Sequence, residues 1–216
     1  MTTATLYALG LRTPRLELRL ASRKELVDLG NLARKGIHPP EEMPFEVPWT
    51  DQSGEEGFVE SFVEFHENAL REWRPEKWSL NLIVFLDRRP IGSQTVGAEN
   101  FASTREVGTG SWLGQRFQRQ GLGTEMRSAV LELAFRELGA RAASSASMFG
   151  NEASKRVSEK LGYKVTGTST SAPRGQPQEK YDLRIEWSAW RSPIPVEIAG
   201  LEACLGLFGV NVNESA

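Results

Sequence analysis

The chain contains one cysteine, two histidines and almost no net charge in 216 residues. A single thiol, Cys204, excludes an internal disulfide and a thiolate metal cluster, and it fits a reducing, cytoplasmic setting. His38 and His66 have no partner at metal-ligand spacing, so no metal is expected. Basic residues number 26 and acidic ones 28, a net charge of -2. That balance removes the electrostatic footprint of a general nucleic-acid or anionic-membrane binder. Long apolar runs are also missing. The most apolar late segment, residues 194–210, is interrupted by Glu197 and Glu202, and residues 1–10 lack a positive region followed by an apolar core. Neither a membrane span nor a secretion signal is expected. What remains is ordinary for a globular protein, 39% hydrophobic and 25% charged, and long enough for one well-buried domain.

Periodicity supplies the elements. Residues 13–20 alternate apolar and charged side chains, predicting a strand with Leu16, Leu18 and Leu20 inward. Ser22 and Glu25 have capping-box spacing ahead of Leu26, Leu29, Leu32 and Ala33, a helix that Gly36 ends. Residues 38–49 hold four prolines and read as a stiff loop carrying Met43, Phe45, Val47 and Trp49. Ser53 and Glu56 suggest a second capping box, followed by a helix whose face is Phe58, Phe62, Phe65, Ala69 and Trp73. Strands are predicted over 78–86 and 91–101, joined across 87–90, and over 107–113. A helix runs from Leu122 to Gly139, then come a strand over 142–149, a helix capped by Asn151, and strands over 163–168 and 180–187. The order β-α-α-β-β-β-α-β-α-β-β implies an α/β (α+β) domain, a mixed sheet of about seven strands with helices on both faces. Pro193 and Pro195 mark a change of regime, so residues 1–190 read as the domain and 191–216 as an appendix packed on or extending it.

The stretch from Gly110 to Met126 runs from a strand through glycine-punctuated polar residues into a helix, an arrangement that exposes unsatisfied N–H groups to an anion. A P-loop requires a lysine after its last glycine, and Thr124 follows Gly123 directly. A dinucleotide fingerprint requires a third glycine where Met126 stands. What is left is Gln118-x-x-Gly121-x-Gly123 at a helix start. With Thr13-Pro14-Arg15-Leu16, Trp112-Leu113-Gly114, Asn151-x-x-Ser154 and Leu161-Gly162-Tyr163 in the same order, the chain resembles the GNAT superfamily of CoA-dependent N-acyltransferases, in its RimJ/RimL-like branch. The resemblance spans roughly residues 13–190. Met43-Pro44-Phe45-x-Val47-Pro48-Trp49 and the tail resemble an actinobacterial group in that branch, some members of which prefer succinyl-CoA.

The resemblance implies a GNAT fold with a mostly antiparallel sheet, an acyl donor that is acetyl-CoA or succinyl-CoA, and direct attack by a primary amine acceptor. The acceptor would be a protein N-terminus, a lysine or a small molecule. It places Gln118, Arg119, Gln120, Gly121, Leu122, Gly123 and Thr124 at the CoA pyrophosphate, with Leu113 along the pantetheine and Asn151 at a pantetheine amide. Ser154 is the implied proton donor to the departing thiolate, with Ser158 in reserve. The branch's glutamate falls at Gly108, a departure. Glu106, two residues earlier on the same strand face, becomes the candidate base, with Glu99 or a water as alternatives. An α-amine of pKa about 8 is roughly a tenth neutral at pH 7 and a lysine under about 0.1%, so a base matters more for lysine. Met43, Phe45 and Trp49 would line the acceptor pocket or a lid. Cys204 reads as a small buried hydrophobe. A homodimer is a further implication of the branch, and a CoA-binding or interaction module without turnover is the rival reading.

Overall fold

The computed structural model describes residues 2–210; the end of the expected appendix, 211–216, lies outside the described residues. A short hairpin, β1 (Gly10–Arg12) and β2 (Leu16–Arg19), precedes α1 (Arg23–Arg34) and α2 (Phe58–Arg71). Then come β3 (Lys77–Leu86), β4 (Arg89–Glu99), the single turn α3 (Phe101–Thr104), β5 (Glu106–Leu113) and α4 (Leu122–Glu132), which continues as a π turn to Glu137. The chain closes with β6 (Ala142–Met148), α5 (Glu152–Lys160), β7 (Lys164–Ser171), β8 (Gln178–Glu186) and β9 (Glu197–Ala199). One sheet of nine strands holds them in the order β7-β8-β6-β5-β4-β3-β2-β1-β9. Every pairing is antiparallel except β5 with β6.

Nine strands replace the expected seven or so because both ends of the chain add one. The predicted first strand folds back at Thr13-Pro14-Arg15 into the β1–β2 hairpin, and β9 pairs with β1. The tail also fills the core, with Cys204, Leu207 and Phe208 buried and the Trp73 indole N–H donating to the Leu207 carbonyl at 2.8 Å.

β3 shows why helices cover both faces. Leu80, Leu82 and Val84 join α4's Met126, Ala129 and Val130 in one cluster, while Ile83 and Phe85 join Leu26 and Leu29 of α1 and Phe62 and Val63 of α2 in another. The Ser22–Glu25 box caps α1 as its spacing predicts. The Ser53–Glu56 box does not form. Residues Trp49–Gln52 make a 3-10 turn that Ser53 closes, and α2 starts behind Gly57, whose left-handed φ of +82° no other residue would adopt readily. The β3–β4 turn is also tighter than expected, two residues, Asp87 and Arg88, both at positive φ as a type I′ hairpin requires.

Candidate active site

β5 delivers the chain to Leu113, and a 3-10 turn at Gln115–Phe117 leads on to α4. Gly114 lies so close to α1 that a Cβ there would stand 3.0 Å from Leu32. The Gln118 side chain pins the turn, donating to the carbonyls of Ile37 at 2.7 Å and Leu113 at 2.9 Å. Gln120 likewise donates to the Arg116 carbonyl at 2.8 Å. Both glutamine side chains therefore shape the loop instead of reaching out of it, and the Leu122 side chain is buried in the core. The backbone N–H groups are what the loop presents. Arg119 and Gly121 take left-handed conformations, and the N–H groups of residues 119–124 have no acceptor among the described residues. That row at the positive end of α4 has the geometry of an anion cradle. α5 packs beside Gly123, where a Cβ would meet Val157 at an ordinary contact distance of 3.5 Å.

The cradle is braced from the far end of the chain. The buried carboxylate of Glu125, in the first turn of α4, accepts from Thr13 Oγ1 at 2.6 Å, the Arg15 backbone N–H at 2.9 Å and Arg15 Nε at 2.6 Å. Arg15 Nη1 also reaches the Gln120 carbonyl at 3.0 Å. The Thr13-Pro14-Arg15 turn thus fixes the loop to the helix that follows it.

A cleft opens beside the cradle. β5 and β6 pair only at Glu106–Ala142, Val107–Ala143 and Gly108–Ser144, then part on the way to Leu113 and Met148. Hydroxyls staple the apex: Thr109 Oγ1 donates to the Ser144 carbonyl at 3.1 Å, and Ser145 Oγ to the Thr109 carbonyl at 3.2 Å. Beneath the cleft, Thr109 Oγ1 meets the buried Tyr163 hydroxyl at 3.1 Å. Burial raises that phenol above its ordinary value. Asn151 caps α5, its Oδ1 accepting from the Ser154 N–H at 3.1 Å. Ser154 is half-buried, whereas Ser158 is fully buried and its hydroxyl is engaged with Arg127 and the Ser154 carbonyl.

On the other face of the sheet, beside Gly108, lies an open cavity of about 420 Å³ whose lining includes Ser145, Thr166, Asp182 and Arg184. Glu106 is adjacent but committed: Arg184 Nη2 and Nη1 donate to its two oxygens at 2.6 and 2.8 Å. That ion pair holds the Glu106 carboxyl below its ordinary value and raises Arg184. As a base Glu106 is therefore weakened, contrary to the expectation from strand spacing. Glu99 ends β4 in an exposed pair with Lys77 at 2.7 Å, outside the cavity. Asp182, on β8, is the carboxylate that lines the cavity, and its Oδ1 accepts from Ser169 Oγ at 2.7 Å. Nothing in the sequence singled it out.

The proline-rich loop forms a roof rather than a pocket wall. Trp49 packs among Phe45, Phe58, Phe62 and Trp112 with ring centroids 5.5–6.3 Å apart, and Met43 is buried. None of Met43, Phe45 and Trp49 lines the cavity at Gly108. The roof is tied to the β7–β8 hairpin by Arg174 on Asp51, at 2.6 and 2.8 Å, and by Lys180 on Glu46.

Residues 15–164 match the family model described as an acetyltransferase (GNAT) domain. The chain belongs to the GNAT acetyltransferase family. It is an N-acyltransferase of that family by domain, and solved GNAT structures share its fold. Mycobacterium smegmatis RimJ in complex with a CoA disulfide superposes with a TM-score of 0.68 at 15% identity, covering 94% of this chain and 95% of that one. RimL, a ribosomal L7/L12 α-N-protein acetyltransferase in complex with coenzyme A, gives 0.65 at 16%, covering 81% and 95%. The microcin C7 self-immunity acetyltransferase MccE, in complex with acetyl-CoA and AMP, gives 0.64 at 16%, covering 80% and 93%. In the tail beyond the matched residues, burial pushes the Cys204 thiol up to about 11, the state of an inert core cysteine. No group of three or more His, Cys, Asp or Glu side chains among the described residues is placed to hold a metal, and no helix is long and apolar enough to cross a membrane.

Proposed function

We propose that this GNAT enzyme moves an acetyl group from acetyl-CoA to a cationic primary amine by direct attack. The observation that carries the reading is the row of unpaired N–H groups at residues 119–124, set at the mouth of the parting β5 and β6. The donor's pyrophosphate fits that cradle, and its pantetheine fits the unpaired edge of β5 near Leu113 as an added strand, with Asn151 at its amide. The acyl end then lies toward Gly108, where a side chain would intrude on the cavity and glycine does not. Asp182 faces the same cavity and draws in the ammonium form of the acceptor, then takes its proton directly or through water. The amine nitrogen attacks the thioester carbon, the carbon–sulfur bond breaks with its electron pair on sulfur, and Ser154 supplies the proton.

Acetyl is preferred to succinyl on charge. Arg184, the cation lining the cavity, already serves Glu106 and Glu186, so the cavity offers no uncommitted positive charge to a second carboxylate. Free thiol released from acetyl-CoA and succinyl-CoA over a panel of N-terminal peptides, lysine peptides and polyamines tests both statements. Turnover with acetyl-CoA and at least one cationic amine is expected. Absence of thiol release across the panel, with CoA still raising the melting temperature, would convert the enzyme into the non-catalytic CoA binder of the rival reading.

A further inference from the structure

Arg127 is the sixth residue of α4 and is wholly buried, yet no carboxylate meets it among the described residues. Its Nη1 donates to Ser158 Oγ at 2.7 Å and its Nη2 to Ser111 Oγ at 2.9 Å, both neutral hydroxyls, while its buried Nε has no acceptor. An arginine stays protonated, so this is a permanent positive charge out of water with no described carboxylate against it. Desolvation pulls the guanidinium below its ordinary value, and proximity to Tyr163 only partly offsets that. Such an arrangement is unfavourable in the resting protein. It becomes favourable when negative charge arises nearby.

The geometry says where. Ser111 lies on the stretch of β5 that has left β6, between the apex at Gly108 and the cradle beyond Leu113. Its side chain is half-buried, and its oxygen already accepts from Arg127. The Ser111 proton has no acceptor among the described residues, so a hydroxyl polarised by a buried cation is left with a hydrogen to donate. Ser158 cannot do the same, because its proton goes to the Ser154 carbonyl at 3.2 Å.

We propose that Ser111 donates a hydrogen bond to the thiolate sulfur of CoA as the carbon–sulfur bond breaks, and that Arg127, acting through Ser111, supplies the positive charge that stabilises it. No proton is transferred by this pair: the electron pair rests on sulfur, held by Ser111, until a proton reaches it from Ser154 or solvent. Arg127 is a positioning and charge-stabilising residue, since it does not touch the sulfur. The proposal rests on the acyl-CoA reading of the cleft.

The bound thiol reports on this without turnover. Thiolate ultraviolet absorbance of CoA, titrated against pH with saturating wild-type protein, is expected to show a thiol at least about tenfold more acidic than free CoA, one unit of pKa. Arg127→Met and Ser111→Ala should each return it to within about threefold of free CoA. Arg127→Met should also keep or raise the melting temperature, because methionine relieves the buried charge, while the turnover number falls about tenfold or more at unchanged CoA affinity. Ser111→Ala removes only a hydroxyl and carries the test if Arg127→Met folds poorly. A wild-type complex whose thiol titrates like free CoA overturns the proposal and leaves the acyltransferase reading standing. Failure of wild-type protein to bind CoA overturns both. Variants that keep the acidic thiol but lose a preference for succinyl-CoA would assign Arg127 to an acyl carboxylate instead.

Discussion

Two carboxylates stand near Gly108 on the same face of the sheet, and their neighbours separate their chemistry. Glu106 is paired with Arg184, which lowers its affinity for a proton; among the described residues the Asp182 carboxylate meets the Ser169 hydroxyl and no cation. Replacing Asp182 with asparagine should lower kcat/KM for cationic amines by about 10- to 100-fold, the value of one charged hydrogen bond, with acetyl-CoA affinity unchanged in calorimetry. Glu106→Gln should cost under about threefold, consistent with a half-exposed structural pair. Equal losses in both variants would remove Asp182 from its assigned role. A different single residue governs acid stability. His66 lies buried on α2 against Phe62, beside a small cavity it shares with Asn81, and desolvation lowers its pKa to about 4. Between that value and the ordinary 6.5 the unfolded chain binds a proton that the folded chain refuses. Stability is therefore unpenalised above pH 6.5 and falls as pH drops toward 4, a total loss of roughly 3 kcal/mol. Urea unfolding of wild type and His66→Phe across that window should show the wild-type slope flattened in the variant, and parallel pH profiles would contradict the assignment.

At the level of elements, the β1–β2 turn and the first turn of α4 act as one unit through Glu125. Glu125→Gln keeps the shape but removes the charge that Arg15 and the Arg15 N–H answer. Because Arg15 is half-exposed, the expected loss is about 2 kcal/mol rather than that of a fully buried pair. Acetyl-CoA affinity should fall together with the melting temperature; a lowered melting temperature with intact affinity would show that the brace does not shape the cradle. This coupling marks the boundary of what local sequence reveals. The loop-to-helix junction at residues 118–124 was legible because its glycines constrain a single loop, and helix α1 was legible because Ser22 and Glu25 are three residues apart. The brace joins positions 110 residues apart, and the roof ties Asp51 to Arg174 across 123. No window of periodicity sees such pairs. Asp182 and Arg127 were missed for the same reason: each is one charge in an ordinary amphipathic element, and its meaning depends on Gly108 and Ser111, which other strands supply. Glu106 was chosen because strand alternation reports its face correctly but says nothing of Arg184 two strands away.

On the scale of the whole molecule, the proposed acyl-transfer cleft and the packing of the tail sit toward different parts of one sheet. The cleft lies between β5 and β6, while the tail closes the other edge, where β9 pairs with β1 and Phe208 packs edge-on against Trp73 and Trp78. Phe208 is wholly buried, and its neighbours Trp73 and Trp78 belong to the same core as α4. Truncation to alanine removes about 3–5 kcal/mol of packing, since these rings are held by the sheet and cannot collapse into the space. For a chain of this length that is a drop of roughly 6–20 °C in melting temperature. The cradle is braced by Thr13 and Arg15 rather than by the tail, so the folded fraction of Phe208→Ala at low temperature should bind acetyl-CoA within about twofold of wild type, well under 1 kcal/mol. Differential scanning calorimetry with and without acetyl-CoA reads both quantities in one sample. If the variant melts early and also loses the ligand-induced rise, the tail is coupled to the cleft through β1, and the division between the two edges of the sheet does not hold.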